Sequence, residues 1–236
     1  HAITNATNTV TIKNTKGGNS ADIGNSIADL GGIVGKIDQS DLTIGNDVAE
    51  GVKNSGAILN EGQSTDNGLG GIVGSITAAA NANTIQNCLN SGRLYRNGWV
   101  NNAINGHGFG GILGYHFATG AATLNVSNSK NTGTVEKLGG AGSNHHIAGI
   151  VGFIAGGAVD NCVNEANITI SQLGSSDSTR AIHPCVGGIV GAASVTGDIL
   201  SPITNCVNGS QGGVTGTIKY LDNHPNQLYL PQVGGI

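Results

Sequence analysis

Gly31-Gly32-Ile33-Val34-Gly35 returns as Gly70-Gly71-Ile72-Val73-Gly74, Gly110-Gly111-Ile112-Leu113-Gly114, Ala148-Gly149-Ile150-Val151-Gly152 and Gly187-Gly188-Ile189-Val190-Gly191. A further Gly234-Gly235-Ile236 stands at the end of the sequence. First positions are 39, 40, 38, 39 and 47 residues apart. A period in the range of roughly 20–50 residues marks a solenoid, propeller or array, whose units bury apolar surface only against neighbours. The repeat therefore predicts one continuous body over residues 1–236, with an irregular first repeat or cap at 1–29. Repeats fill 30–236, the last of them truncated.

Each later unit carries a second signature after a variable loop. It reads Thr84-Ile85-Gln86-Asn87-Cys88-Leu89-Asn90-Ser91-Gly92 in one copy, Asp160-Asn161-Cys162-Val163-Asn164 in another and Thr204-Asn205-Cys206-Val207-Asn208 in a third. Apolar and polar residues alternate with period two, which is the strand period. Glycine and β-branched residues recur too often for a continuous helix. Three short strands per unit are expected: the glycine motif, the Ile-x-Asn-Cys run and a Gly-x-Val run. These pieces predict an all-β parallel β-helix (β-solenoid) of about six repeats of ~39 residues, one coil per repeat.

In that arrangement equivalent residues stack about 4.8 Å apart. Ile33, Ile72, Ile112, Ile150 and Ile189 form an inward row, and Val34, Val73, Leu113, Val151 and Val190 point the other way. Gly32, Gly71, Gly111, Gly149 and Gly188 permit close backbone approach or a positive φ. Asn87, Asn128, Asn161 and Asn205 form a row fit for an amide ladder. Cys88, Cys162 and Cys206 share a row with Val52 and Ser129, which reads as a small, mostly buried slot of reduced thiols. A Cys162–Cys206 disulfide on adjacent coils is geometrically conceivable, and 4 cysteines do not fix a connectivity. With no Cys-x-x-Cys pair, the row is not read as a metal site.

These residues resemble the GLUG repeat, a glycine-rich motif of large secreted and cell-surface bacterial proteins. Val186-Gly187-Gly188-Ile189-Val190-Gly191 joined to Asn205-Cys206-Val207-Asn208, with the earlier copies from about Leu30 onward, carries the resemblance. It implies a right-handed β-helix, export, and an adhesin-like, stalk-like or filament-forming role. Ala148 in place of the first glycine and the longer final unit depart from the pattern.

Composition narrows the function. Ten Lys and Arg, a net charge of −4 and the absence of a basic run argue against nucleic acid. No stretch approaches the roughly 18 apolar residues of a membrane helix. His1-Ala2-Ile3 reads as a processed or trimmed start, and the broken last motif as a second trimmed end: either a longer repeat protein is cut there or only part of it is ordered. Catalysis on polysaccharide needs carboxylates converging on one face. Asp160 and Glu165 have no partners in their rows, and neither a Gly-x-Ser-x-Gly elbow nor a phosphate loop is present. Asp38, Asp41, Asn46, Asp47 and Glu50 lack calcium-loop spacing and read as a solvated loop. His145-His146 reads as an exposed loop pair.

The binding candidate is Tyr95, Arg96 and Trp99, followed by Phe109, Tyr115 and His116. It concentrates the few aromatics, including the single Trp. Exposed rings beside amides can stack on a sugar or a protein partner. The expectation is thus a non-catalytic, cofactor-free segment of a cell-surface scaffold. Its partners would be a host or cell-surface glycan or protein, or further copies of itself. The alternatives are a carbohydrate-binding module using the Trp99 loop and a polysaccharide-cleaving β-helix.

Overall fold

The computed structural model describes residues 1–15, 29–61, 68–78, 80–97, 107–118, 120, 122–138, 145–172, 185–194, 201–210, 216–222 and 232–236. Every regular element among them is a strand, and every pairing is parallel between successive turns, which makes a β-solenoid. One turn runs Ala82–Gln86, Cys88–Asn90, Leu94–Asn97, His107–Gly110 and Leu113–Ala118. These strands belong in order to a first, second, third, fourth and fifth sheet, four of six strands and the fifth of five.

Val34, Val73, Leu113, Val151 and Val190 pair in register across the fifth sheet. Ile72 N–H donates to the Ile112 carbonyl at 3.0 Å. Each motif copy therefore lies directly on the next, one turn per repeat, as the spacing predicts. The first residues join the stack too: Ile12 pairs with Ile58, and Ile3 with Ile44.

Five strands per turn replace the three expected, because both the glycine motif and the Ile-x-Asn-Cys run break in two. Asn87, Asn128, Asn161 and Asn205 adopt φ of 52°, 47°, 49° and 51°. Asn tolerates this left-handed region better than most residues. One residue there turns the chain from the first sheet into the second.

Two large apolar cores and a small cluster of Ala78, Ala118 and Ala122 result among the described residues. The first, larger core joins Ile44, Ile85, Val126 and Val159 of the first sheet to Ile76, Leu113 and Ile154 of the fifth, with Val52, Cys88 and Cys162 from the second. The other lies between Ile58, Leu94, Val135 and Ile168 of the third sheet and Leu69, Phe109, Ile147 and Val186 of the fourth. The expectation that the Ile and Val rows face opposite ways fails. Ile72, Val73, Ile112, Leu113, Ile150, Val151, Ile189 and Val190 are all buried in the first core, because the chain bends between the fourth and fifth sheets at Gly71-Ile72 and its equivalents.

The bend also explains the glycines. None of the motif glycines has a positive φ among the described residues; close approach is their reason. A Cβ on Gly70 would stand 1.8 Å from the Val73 carbonyl oxygen, folding the motif onto itself. On Gly71 it would stand 2.1 Å from the Gly111 carbonyl oxygen and 2.3 Å from Asn90 Cγ. On Gly74 it would meet the Gly35 carbonyl oxygen at 2.4 Å. Ala148, fully buried, occupies the first position in one turn.

Candidate functional site

The amide opposite Gly71 belongs to the structure's most regular polar feature. Asn8, Asn54, Asn90, Asn131, Asn164 and Asn208 end the strands of the second sheet. Each Nδ2 donates to the next Oδ1, at 2.8, 2.8, 2.8, 3.0 and 2.8 Å along the stack. The same nitrogens reach the carbonyls of Gly56, Gly92, Gly133 and Ala166 at 3.0–3.1 Å. Asn54, Asn90, Asn131 and Asn164 have no solvent exposure. The continuous amide ladder thus stands three residues beyond the expected row. In the expected row Asn161 donates to Asn128 at 2.7 Å, while Asn87 turns to the Asn46 carbonyl and Asn205 to Asp160.

The binding candidate is dispersed by strand alternation, since neighbours on a strand face opposite ways. Tyr95 lies half-buried on the third sheet, with the Arg93 guanidinium 4.5 Å above its ring and Arg93 in turn paired with Glu136. Arg96, the next residue, is buried and in register with buried Lys137. Tyr115 is 4% exposed, and its ring stacks on Phe153 at 5.1 Å and lies 6.4 Å from Phe117. His116 points the other way, fully buried in the row of Ile37, Ile76 and Ile154. Neither of its nitrogens has a hydrogen-bond partner among the described residues, and burial pushes the imidazole down to about 4. Arg96 and His116 therefore do not share a surface with Tyr95 and Tyr115. Trp99 lies outside the described residues. Phe109, expected in the same patch, is part of the second core.

His145-His146 is a strand pair, not an exposed loop. His145 is buried 5.7 Å ring to ring from His107, and its imidazole is held well below the usual value by burial and then by the positive charges of Lys137 and Arg96. Lys137 is itself pushed down to about 7, by burial and then by Arg96. His146 meets the Phe153 ring at 5.1 Å. This basic group at the edge of the second core was invisible in the sequence. Its four members lie on two turns and two sheets, and only the register brings them together.

The acidic segment is used locally. Asp41 accepts the Ala82 N–H at 2.7 Å, Asp38 pairs with Lys36 at 3.2 Å, and Asn46 accepts the Val48 N–H at 2.9 Å. No cluster of three or more His, Cys, Asp or Glu suited to a metal occurs among the described residues. Asp160 accepts from Thr204 Oγ1 at 2.6 Å and from Asn205, and these bonds lower its carboxyl below the usual range.

The cysteine row stands as a packed row. Cys88 pairs with Val52, and its N–H donates to Ser129 Oγ at 3.2 Å; Cys88 and Cys162 are buried and Cys206 is half-buried. None of the four cysteines is in a disulfide. Burial pushes the Cys88 thiol up to about 12, which makes it inert as a nucleophile.

Comparison of the chain with protein-family models, with curated proteins and with solved structures finds no match. No helix among the described residues is long and apolar enough to cross a membrane.

Proposed function

We propose that the chain is a non-catalytic scaffold segment of an exported cell-surface protein, of the glycine-rich GLUG type, with adhesin-like or stalk-like use. On this reading it is a right-handed helix of about six repeats. One observation carries the proposal. The residues that recur are consumed in stacking turn on turn, whereas the sequences linking the third sheet to the fourth differ in length and composition from turn to turn. Those links are residues 15–29, 61–67, 98–106, 139–144, 173–184 and 223–231. A constant frame interrupted by variable sequence suits a role in which the variable residues carry recognition, the usual division of labour on rigid scaffolds. Labelling intact producing cells with a membrane-impermeant amine reagent tests export. Modification of the chain's lysines is expected, and labelling seen only after lysis overturns the reading.

A second reading is favoured by the outward ring of Tyr95, which borders the link carrying Trp99. Here the segment binds carbohydrate through that link. A glycan array comparing the native chain with Trp99→Ala tests it. Binding lost in the variant supports it, and no binding by either protein removes it while leaving the scaffold reading in place.

A further inference from the structure

The parallel register sets one pair of cysteines on adjacent turns. Val163 pairs with Val207 and Asn164 with Asn208, so Cys162 and Cys206, one residue earlier, lie directly over each other. The Cys162 N–H donates to Cys206 Sγ at 3.4 Å. The two Sγ atoms contact the Asp160 and Thr204 carbonyls at 3.3 and 3.1 Å, equivalent oxygens of successive turns. The same register isolates the other cysteines. Cys88 faces Val52 on one side and Ser129 on the other, and Cys185 lies between His146 and Gln232.

We infer that Cys162 and Cys206 form an oxidation site, which a small-molecule disulfide converts into a covalent staple between adjacent turns. The two thiols are unequal in a way that gives each a role. Cys162 is buried and Cys206 half-buried, so an incoming reagent reaches Cys206 first. A thiol-to-thiol hydrogen bond from Cys162, with the backbone N–H bond beside it, lowers the Cys206 thiol, while the same thiol bond and burial raise the Cys162 thiol. Thiolate at the reachable sulfur is the reactive form.

With oxidised glutathione the chemistry balances in two exchanges. The Cys206 thiolate attacks one glutathione sulfur and expels a glutathione thiolate, leaving a mixed disulfide. Cys162 then gives its proton to water or to that thiolate and attacks the Cys206 sulfur, expelling the second glutathione. Two protein thiols are oxidised, and one glutathione disulfide is reduced to two glutathione thiols. Neighbouring strands at about 4.8 Å lie within the Cα separation that a disulfide spans.

The test exposes the native, folded chain to oxidised glutathione, stops exchange with acid, alkylates in denaturant and maps peptides by mass. The expected product is the Cys162 peptide joined to the Cys206 peptide, lighter by the two hydrogens lost. Cys88 and Cys185 should both be alkylated. In Cys162→Ser the reaction should halt with glutathione on Cys206, and in Cys206→Ser neither product should form. Persistent glutathione on Cys206 of the native chain would overturn the proposal, as would equal alkylation of all four cysteines. Circular dichroism of each variant confirms that the β-fold is retained, and the native-chain result alone decides if either serine variant fails to fold.

Discussion

Two rows of asparagine stand three residues apart in this molecule, the first interrupted at Gly51, and the same side chain does opposite work in each. At Asn87, Asn128, Asn161 and Asn205 the backbone is the point. A left-handed residue turns the chain between sheets, and the amides lie toward solvent with mixed partners. At Asn54, Asn90, Asn131 and Asn164 the backbone is ordinary strand and the side chain is the point. Each buried amide donates to its neighbour in the stack and to its own chain two residues on. Burial separates the two roles. An exposed amide exchanges partners with water at little cost, whereas a buried one must have its partners supplied by the fold.

Removing one rung of the buried row should therefore have the largest effect. Asn131 accepts from Asn90, donates to Asn164 and to the Gly133 carbonyl, and its oxygen faces the Gly133 N–H at 3.3 Å. Asn131→Ala strands a donor on one side and an acceptor on the other. At about 1–3 kcal/mol for each buried group left unsatisfied, a loss of roughly 3–5 kcal/mol is expected. Urea unfolding measures it. A loss under about 1 kcal/mol would mean that water enters the stack and that the rows differ less than their burial implies.

His116 sharpens the comparison from another side, as a buried polar group with no ladder. It replaces an isoleucine in the row Ile37, Ile76, Ile154 of the first core. Its value falls from 6.5 to about 4 through burial alone. The folded state thus binds this proton less readily than the unfolded chain. The site costs nothing extra above pH 6.5, and stability drains away as pH falls from 6.5 toward about 4. At about 1.4 kcal/mol per pH unit the loss reaches about 3 kcal/mol. His116→Ile should abolish that part of the acid dependence, so the gap between variant and native protein should widen as pH drops. Thermal melts across this interval read it directly. A constant gap would show that the imidazole is protonated within the fold.

How far the sequence revealed these roles follows from what each depends on. The parallel stacking, the turn-on-turn register of the glycine motif and the shared cysteine row were legible, because a period needs only one dimension. The bend at Gly71-Ile72 was not legible. It places successive Ile and Val residues in the same core, which contradicts strict alternation and requires knowledge of how the fourth sheet meets the fifth. The row at Asn87, Asn128, Asn161 and Asn205 was read as the amide ladder, whereas the ladder stands three residues on, since only backbone φ and burial distinguish the two rows. The binding candidate suffered most. Tyr95 with Arg96 and Tyr115 with His116 were grouped by proximity in the chain, yet each pair straddles a strand. Tyr95 and Tyr115 leave one face of their strands and Arg96 and His116 the other, and Tyr115 is itself covered by Phe153. Long-range register explains the opposite error, the missed assembly of Arg96, His107, Lys137 and His145 from separate strands.

The exposed row should yield the smallest effects, and with a sign that depends on the replacement. Asn128 holds a φ of 47°, where an ordinary L-residue is disfavoured by roughly 1–2 kcal/mol while glycine is at home. Asn128→Ala should lose about 1 kcal/mol, because alanine meets that penalty and forgoes the bond from Asn161. Asn128→Gly forgoes the same bond and avoids the backbone penalty, so its loss should be a few tenths of a kcal/mol. If side-chain stacking governed this row as it governs the buried one, the two variants would be equally damaging. Unequal unfolding midpoints, with glycine the milder, would assign the row to its backbone. In the buried row the same pair of substitutions at Asn131 should be about equally harmful, since there the lost amide outweighs any preference of the chain.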